Sequence, residues 1–200
     1  MPASRSLVRS SVVSILLGLS LVVPAAAQTP VNLKAAAQSA VKIRIDNFGK
    51  INANYFRGAQ PEGSDYRDLA VLGVKTVIDL TADGDAAEAR LVSHEGMTFF
   101  RIPMTTHETP TPEKIARFLE IVNNPANQPV YVHCQGGRHR TGVMTAVYRM
   151  TDEQWSSDRA FAEMKQYKFG ADFLHSEFKD FVYTYQPKTV VAAATKASSE

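Results

Sequence analysis

Cysteine is nearly missing from this chain, whose 200 residues contain a single one, Cys134. One cysteine excludes an internal disulfide, so the fold must be stabilised without covalent cross-links. A lone thiol is also open to oxidation to sulfenic acid and mixed disulfides, above all in an exported protein. Its presence is easiest to understand if it performs chemistry.

A long apolar run is missing as well. The apolar stretch at 12–23 is too short and too interrupted for a comfortable membrane span. Arg5 and Arg9 precede it and small alanines at 25–27 follow it, which is the pattern of a cleaved secretory signal. We predict that residues 1–27 are a signal peptide and that the mature protein is exported, to the periplasm in a bacterium. No stable membrane span is expected after cleavage; an uncleaved anchor is the alternative.

Charge of one sign is not in excess. The chain has 22 Lys+Arg and 20 Asp+Glu, and residues 1–27 hold two arginines and no acidic residue, which leaves 20 against 20. This balance gives no reason to expect a nucleic-acid partner. The remaining length suits one domain. We predict a flexible lead-in over 28–44, one domain over 45–186 and a disordered tail over 187–200, in a monomeric protein.

Strand and helix patterns alternate from residue 45 onward. Buried strands are predicted at 74–80, 98–103 and 129–134, and a helix is predicted at 141–150. The last helix has an apolar stripe formed by Leu174, Phe178, Phe181, Val182 and Tyr185. Such alternation predicts an α/β fold with a mostly parallel central sheet and helices on both faces. Ligands of such sheets bind beyond the carboxyl ends of the strands, which is where Cys134 is expected.

The residues after Cys134 are suited to holding a phosphate dianion. Gly136 and Gly137 allow a tight turn that aims backbone N–H groups at phosphate oxygens, and the helix N-terminus behind them adds a favourable dipole. Arg140 can grip two oxygens with its fork of donors. The same surroundings favour thiolate over thiol, which would make Cys134 a nucleophile. A structural cysteine beside surface arginines would not explain this crowding of glycines and basic residues.

The sequence His133-Cys134, five residues, Arg140 and Thr141 resembles the signature loop of the cysteine-dependent protein tyrosine and dual-specificity phosphatases. The likeness covers roughly residues 45 to 185. Within the family, this sequence is similar to the small exported bacterial type. Residues 137–142 are also similar to the plant and fungal atypical dual-specificity phosphatases, some of which act on inositol pyrophosphates.

The resemblance implies a metal-free phosphomonoesterase with a phosphocysteine intermediate. Cys134 would be the nucleophile, and Thr141 would ease the departure of the thiolate. The phosphate would be bound by the loop residues Gln135, Gly136, Gly137, Arg138, His139 and Arg140. Arg138 and His139 would face the entrance and attract anions, with a merely solvated basic rim as the alternative. His133 would steady the loop through a backbone hydrogen bond, and Arg57 would support the fold through a buried one.

One part of the family pattern is absent. The family usually supplies an aspartic acid upstream of the cysteine to protonate the leaving oxygen, but no aspartate lies between Pro103 and His133. Glu108, in the loop where the family's acid usually falls, is the predicted replacement. His107 could also donate a proton, although a surface histidine is the simpler interpretation. The remaining candidates are Glu113, Asp83 and Asp85.

The expected partner is a phosphorylated protein, with phosphotyrosine first, or a small phosphoester such as an inositol polyphosphate. A phosphate-binding module without turnover is the alternative from another class. No cofactor is expected. No metal site is predicted either, because no two histidines have the sequence spacing of metal ligands.

Overall fold

The computed structural model describes residues 41–187, which form one central sheet covered by helices. The predicted signal peptide, most of the lead-in and the tail after Pro187 lie outside the described residues. The strands are β1 Gly49–Lys50, β2 Tyr55–Gly58, β3 Thr76–Thr81, β4 Thr98–Met104 and β5 Val130–His133. The helices are α1 Asp65–Leu72, α2 Glu88–His94, α3 Pro112–Asn123, α4 His139–Asp152, α5 Ser157–Gln166 and α6 Ser176–Thr184, with a short 3-10 helix at Asp172–His175.

The sheet has the order β1-β2-β5-β3-β4, and only β1 runs antiparallel to its neighbour. In the central strand β5, Val132 is paired with Arg57 on one side and with Ile78 on the other. The predicted α/β class with a mostly parallel sheet is confirmed. Cys134 follows β5 directly, so it lies at the middle of the carboxyl edge of the sheet.

Side chains of β5 alternate between two hydrophobic cores, as the pleat of a strand requires. Val130 and Val132 pack into the core that contains residues of α3, α4, α5 and α6. Tyr131, between them, packs into the opposite core with Leu69 of α1 and Val92 of α2. Both faces of the sheet are therefore covered by helices, as predicted. Between residues 41 and 187, no helix combines the length and the apolar composition that a bilayer-crossing segment needs.

Two sequence-based details were wrong. The helix after the cysteine loop begins at His139 rather than at Thr141, so Arg140 and Thr141 belong to its first turn. Leu174 does not join the stripe of the last helix, because it lies in the preceding 3-10 helix and is 59% exposed. Phe178 and Val182, which belong to α6 itself, are buried as expected.

Candidate active site

The loop between β5 and α4 forms the wall of a small cleft. The thiol residue Cys134 is only 3% exposed. The cleft has a volume of 220 Å³ and is lined by Thr106, Cys134, Gln135, Gly136, Arg138, His139 and Arg140. The structure thus brings the predicted nucleophile, the predicted phosphate-binding arginine and most of the predicted loop residues to one place.

The loop can turn only because residue 137 is glycine. Gly137 has a φ angle of +62°, in the left-handed region that side chains disfavour. A Cβ atom added here would lie 2.3 Å from the carbonyl carbon of Gly58 and 2.6 Å from the backbone nitrogen of Ala59. Both contacts are with the backbone of the segment after β2, which cannot move away like a flexible side chain.

Two side chains hold the carbonyl oxygen of Gly137. Arg57 donates to it from Nη2 at 2.6 Å, and Asn47 donates from Nδ2 at 2.8 Å. Arg57 is fully buried, and its guanidinium lies over the ring of Tyr167 at 4.1 Å from the centroid. The predicted structural role of Arg57 fits this geometry. The contact of Asn47 was missed; its only signal in the sequence was a turn-forming Asn-Phe-Gly.

These contacts orient the peptide units of the loop. The backbone N–H of Gln60 also donates to the carbonyl of Gln135, at 3.2 Å. In a trans peptide unit the C=O and the following N–H point in opposite directions. Because the carbonyls of Gln135 and Gly137 are bound from the sheet side, the N–H groups of Gly136 and Arg138 face the cleft. The N-terminus of α4 has no capping side chain, so its N–H groups are also available to an anion.

Arg140 is positioned from the end of β4. It is 5% exposed, and its Nη1 donates to the backbone carbonyl of Met104 at 3.2 Å. The same Nη1 lies 3.7 Å from Asp83 Oδ1. One edge of the guanidinium is thereby fixed while the residue lines the cleft, an arrangement suited to gripping an oxyanion. Thr141 is fully buried, and its hydroxyl has no hydrogen-bond partner within residues 41–187.

His133 contacts a carboxylate rather than the backbone. Its Nε2 lies 3.0 Å from Oε1 of Glu88, and both side chains are fully buried. The alignment of this contact is not that of a hydrogen bond. The side chain of Gln60 donates to the same Glu88 oxygen at 2.7 Å. Because the backbone N–H of Gln60 donates to Gln135, Gln60 links the buried carboxylate to the cysteine loop. The predicted backbone hydrogen bond of His133 was wrong: neither ring nitrogen has a hydrogen-bond partner among residues 41–187, and Nε2 faces the carboxylate of Glu88, which is distant in sequence.

The two basic residues predicted at the entrance differ. Arg138 is exposed, whereas His139 is half-buried with its Nε2 2.9 Å from the carbonyl oxygen of Phe169. Burial lowers the pKa of His139 below its usual value. At neutral pH the imidazole is therefore mainly uncharged, and Arg138 supplies the positive charge at the rim.

The structure separates the candidate acids. Glu113 lies in the first turn of α3, where a hydrogen bond with Thr111 lowers its pKa and makes it a poor proton donor. Asp85 accepts a hydrogen bond from the backbone N–H of Ala87 at 2.8 Å, which ties it to the start of α2. Asp83 remains near the site through its contact with Arg140.

Glu108, the preferred candidate, is exposed in the loop between β4 and α3. Its backbone N–H donates to the hydroxyl of Thr105 at 3.2 Å. Thr106 of the same loop lines the cleft, but Glu108 itself is not one of the lining residues. The loop is therefore at the site, and the role of Glu108 stays a prediction.

Solved structures place this fold among phosphatases. The core catalytic domain of the PP-IP phosphatase SIW14 from Saccharomyces cerevisiae has a TM-score of 0.66 at 24% identity and covers 77% of this chain and 94% of its own. TpbA from Pseudomonas aeruginosa, solved with phosphotyrosine, has a TM-score of 0.65 at 22% identity, with coverages of 77% and 93%. At such identities the likeness establishes the fold, which is that of dual-specificity-type phosphatases.

Sequence comparison then identifies the family. The family model described as "DSP-PTPase phosphatase fused to NAD+ Kinase" matches residues 30–181. The chain belongs to this family. The resemblance to the cysteine-dependent tyrosine and dual-specificity phosphatases is thereby confirmed.

Curated relatives have related names. A probable tyrosine-protein phosphatase of Dictyostelium discoideum is 28% identical over 126 residues, which cover 60% of this chain and 75% of that protein. An inositol diphosphatase of S. cerevisiae is 27% identical, and the match covers 62% of this chain and 46% of that protein. The dual specificity protein phosphatase TpbA of P. aeruginosa is 27% identical, covering 72% and 65%. The match thus spans less than two thirds of the last two proteins.

Gly137→Ala should disable the loop, whereas Gly136→Ala should be tolerated. A residue with a Cβ raises the free energy of the folded loop by about 1–2 kcal/mol when it adopts left-handed backbone. The steric contact with the Gly58 and Ala59 backbone adds to this cost. The nearest atoms to a Cβ on Gly136 would belong to the flexible Arg138 side chain, at 3.5 Å or more, which is ordinary van der Waals contact. We expect Gly137→Ala to lower kcat/KM on an aryl phosphate at least about tenfold, with Gly136→Ala close to wild type. Equal losses in the two variants would contradict the steric argument.

Proposed function

We propose that this phosphatase hydrolyses phosphomonoesters through a phosphocysteine intermediate, and that its substrate is a phosphorylated protein, with phosphotyrosine first. The observation that carries the proposal is that Cys134 and Arg140 line the same cleft, at the carboxyl end of the central strand. Membership of the phosphatase family supports the reaction class. The relatives named as tyrosine or dual-specificity phosphatases support the substrate class.

In the first displacement, the thiolate of Cys134 attacks phosphorus in line with the leaving oxygen. An S–P bond forms while the P–O bond to the leaving group breaks, and a protonated acid gives that oxygen its proton. Arg140 and the N–H groups of the loop hold the three non-bridging oxygens, whose charge they stabilise in the transition state.

In the second displacement, water attacks the phosphocysteine. The carboxylate left by the first step accepts a proton from this water, and the P–S bond breaks to release inorganic phosphate. The buried hydroxyl of Thr141, which has no hydrogen-bond partner in the described part of the chain, would donate to the departing sulfur. Two displacements replace one difficult attack by water on the ester.

Glu108 is our candidate for the acid. Thr106, two residues before it, already lines the cleft, so a movement within the β4–α3 loop would bring the carboxyl group to the leaving oxygen. Asp83 is the alternative because of its contact with Arg140, but its side chain is 89% exposed.

Inositol polyphosphates are a second candidate substrate. The relative from S. cerevisiae is named an inositol diphosphatase, and the exposed Arg138 at the rim would attract any highly charged anion. Comparing rates on a phosphotyrosine peptide, a phosphoserine peptide and inositol hexakisphosphate separates the two candidates. A faster reaction with the inositol phosphate would replace the protein substrate in the proposal.

Cys134→Ser should abolish hydrolysis and leave substrate binding largely intact. The chain has no other cysteine to replace the nucleophile, so phosphate release from a phosphotyrosine peptide should fall by at least about 10⁴-fold. Peptide binding, followed by calorimetry, should persist because Arg140 and the loop are unchanged. Orthovanadate should inhibit the wild-type enzyme and EDTA should not. Turnover by the variant at a near wild-type rate would end the cysteine mechanism, and a wild-type protein that binds without turnover would be a phosphate-binding module.

Glu108→Gln should slow substrates according to their leaving group. The phenol of tyrosine has a pKa of about 10 in water, so its departure needs a proton, whereas an activated nitrophenolate departs with little help. We expect a much larger loss on phosphotyrosine than on p-nitrophenyl phosphate. Asp83→Asn is the matched control. If it shows this pattern and Glu108→Gln behaves like wild type, the acid is Asp83.

We further propose that residues 1–27 direct export and are removed, which places the phosphatase in the periplasm of a bacterium. The basic start, the short apolar stretch and the alanines at 25–27 support this proposal. N-terminal sequencing of the protein recovered from the exported fraction should begin at Gln28. Recovery of the intact chain from the membrane fraction would instead identify an uncleaved anchor.

A further inference from the structure

Three side chains from two segments of the chain meet near the active-site cleft. His107 lies in the β4–α3 loop, His175 ends the 3-10 helix, and Glu177 lies in the first turn of α6. The Oε1 atom of Glu177 is 3.5 Å from Nδ1 of His107 and 3.3 Å from Nδ1 of His175. The potential ligand atoms of all three lie within 4.8 Å of one another.

Both separations are compatible with two ligands of one metal ion, although the His175–Glu177 pair also meets the geometry of a long hydrogen bond at 3.3 Å. A charge-assisted N–H···O contact is normally about 2.7–2.9 Å long, well below both distances. Zinc bonds to nitrogen and oxygen of about 2.0–2.1 Å put neighbouring ligands of a tetrahedral ion about 3.4 Å apart. The two measured distances lie on either side of that value.

We propose that His107, His175 and Glu177 bind a divalent transition-metal ion of the Zn²⁺ class. Two imidazoles and one carboxylate are a ligand set suited to zinc. The side chain of His107 is 74% exposed, so the ion has access from solvent. Water or a small anion would complete the coordination.

A second acidic and histidine cluster does not offer such a site. Asp79, Glu88 and His133 are also close together and are fully buried. Asp79 already accepts hydrogen bonds from Arg101 Nε at 2.7 Å and from the backbone N–H of Thr81 at 2.8 Å. The guanidinium of Arg101 is also 3.8 Å from Glu88, and it would repel a cation there.

The location of the proposed site gives it a consequence for catalysis. His107 stands between Thr106, which lines the cleft, and Glu108, the proposed acid. His175 packs on His139 of the catalytic loop, with 3.7 Å between ring centroids. A bound ion would join the β4–α3 loop to α6. It would hold the loop in the conformation seen here, in which the Glu108 carboxyl does not line the cleft. Zinc therefore inhibits turnover reversibly, an effect that rests on the proposed function.

Binding is tested without activity, in Cys134→Ser protein that carries no histidine tag. Titration calorimetry with ZnCl₂ should show one site, and His107→Ala in this background should weaken it at least about tenfold. His94→Ala is the matched control, because His94 is 83% exposed and lies outside the cluster. His175→Ala, with folding checked by circular dichroism, should repeat the loss. Equal affinities in the His107 and His94 variants, or no binding once the thiol is removed, would overturn the site.

Inhibition is tested with the thiol present. The zinc concentration that halves hydrolysis, measured against each protein's own zinc-free rate, should rise at least about tenfold in His107→Ala and stay unchanged in His94→Ala. EDTA should restore the rate. If inhibition is unchanged in His107→Ala, zinc inhibits by binding Cys134, and the proposed regulation through the His107 site is wrong. Failure of the proposed function would appear separately, as absence of hydrolysis without zinc.

Discussion

The carbonyl oxygen of Gly137 is the point on which the active site depends. Arg57 and Asn47 both donate to it, which fixes the turn and directs the following N–H toward the cleft. The arrangement is costly, because burial lowers the pKa of Arg57 and its Nε and Nη1 have no hydrogen-bond partner within residues 41–187. Stacking on Tyr167 offsets part of this cost. A buried cation that shapes a backbone turn also adds positive potential where an anion is to bind.

The order of the strands determines what surrounds this point. Because β5 lies between β2 and β3, the loop after it can be held from both sides. The segment after β2 supplies the backbone N–H of Gln60, and the strand beyond β3 supplies the Met104 carbonyl that positions Arg140. An edge strand could offer only one of these supports. The central position of Cys134 thus explains how a loop with two adjacent glycines keeps a defined shape.

Most of the fold could be predicted from local sequence patterns. Contacts between residues that are far apart in the sequence could not. The strand before Cys134, the two glycines and Arg140 are contiguous, so their chemistry could be recognised directly. The contacts of Asn47 with Gly137, of Glu88 with His133 and of His107 with Glu177 join residues that are many positions apart. The periodicity of apolar residues in the sequence does not predict such long-range contacts. Leu174 was misjudged for a related reason: it continued an apolar pattern across a change from 3-10 to α-helical geometry.

The two edges of the sheet bear on how copies of this protein meet. At one edge, β1 has only two residues, too few to pair with a strand from another molecule. At the other, the exposed Pro103 lies within β4 and has no N–H to donate. Strand-to-strand addition is thereby disfavoured at both ends, so we expect any self-association of the folded domain to use its helices or loops.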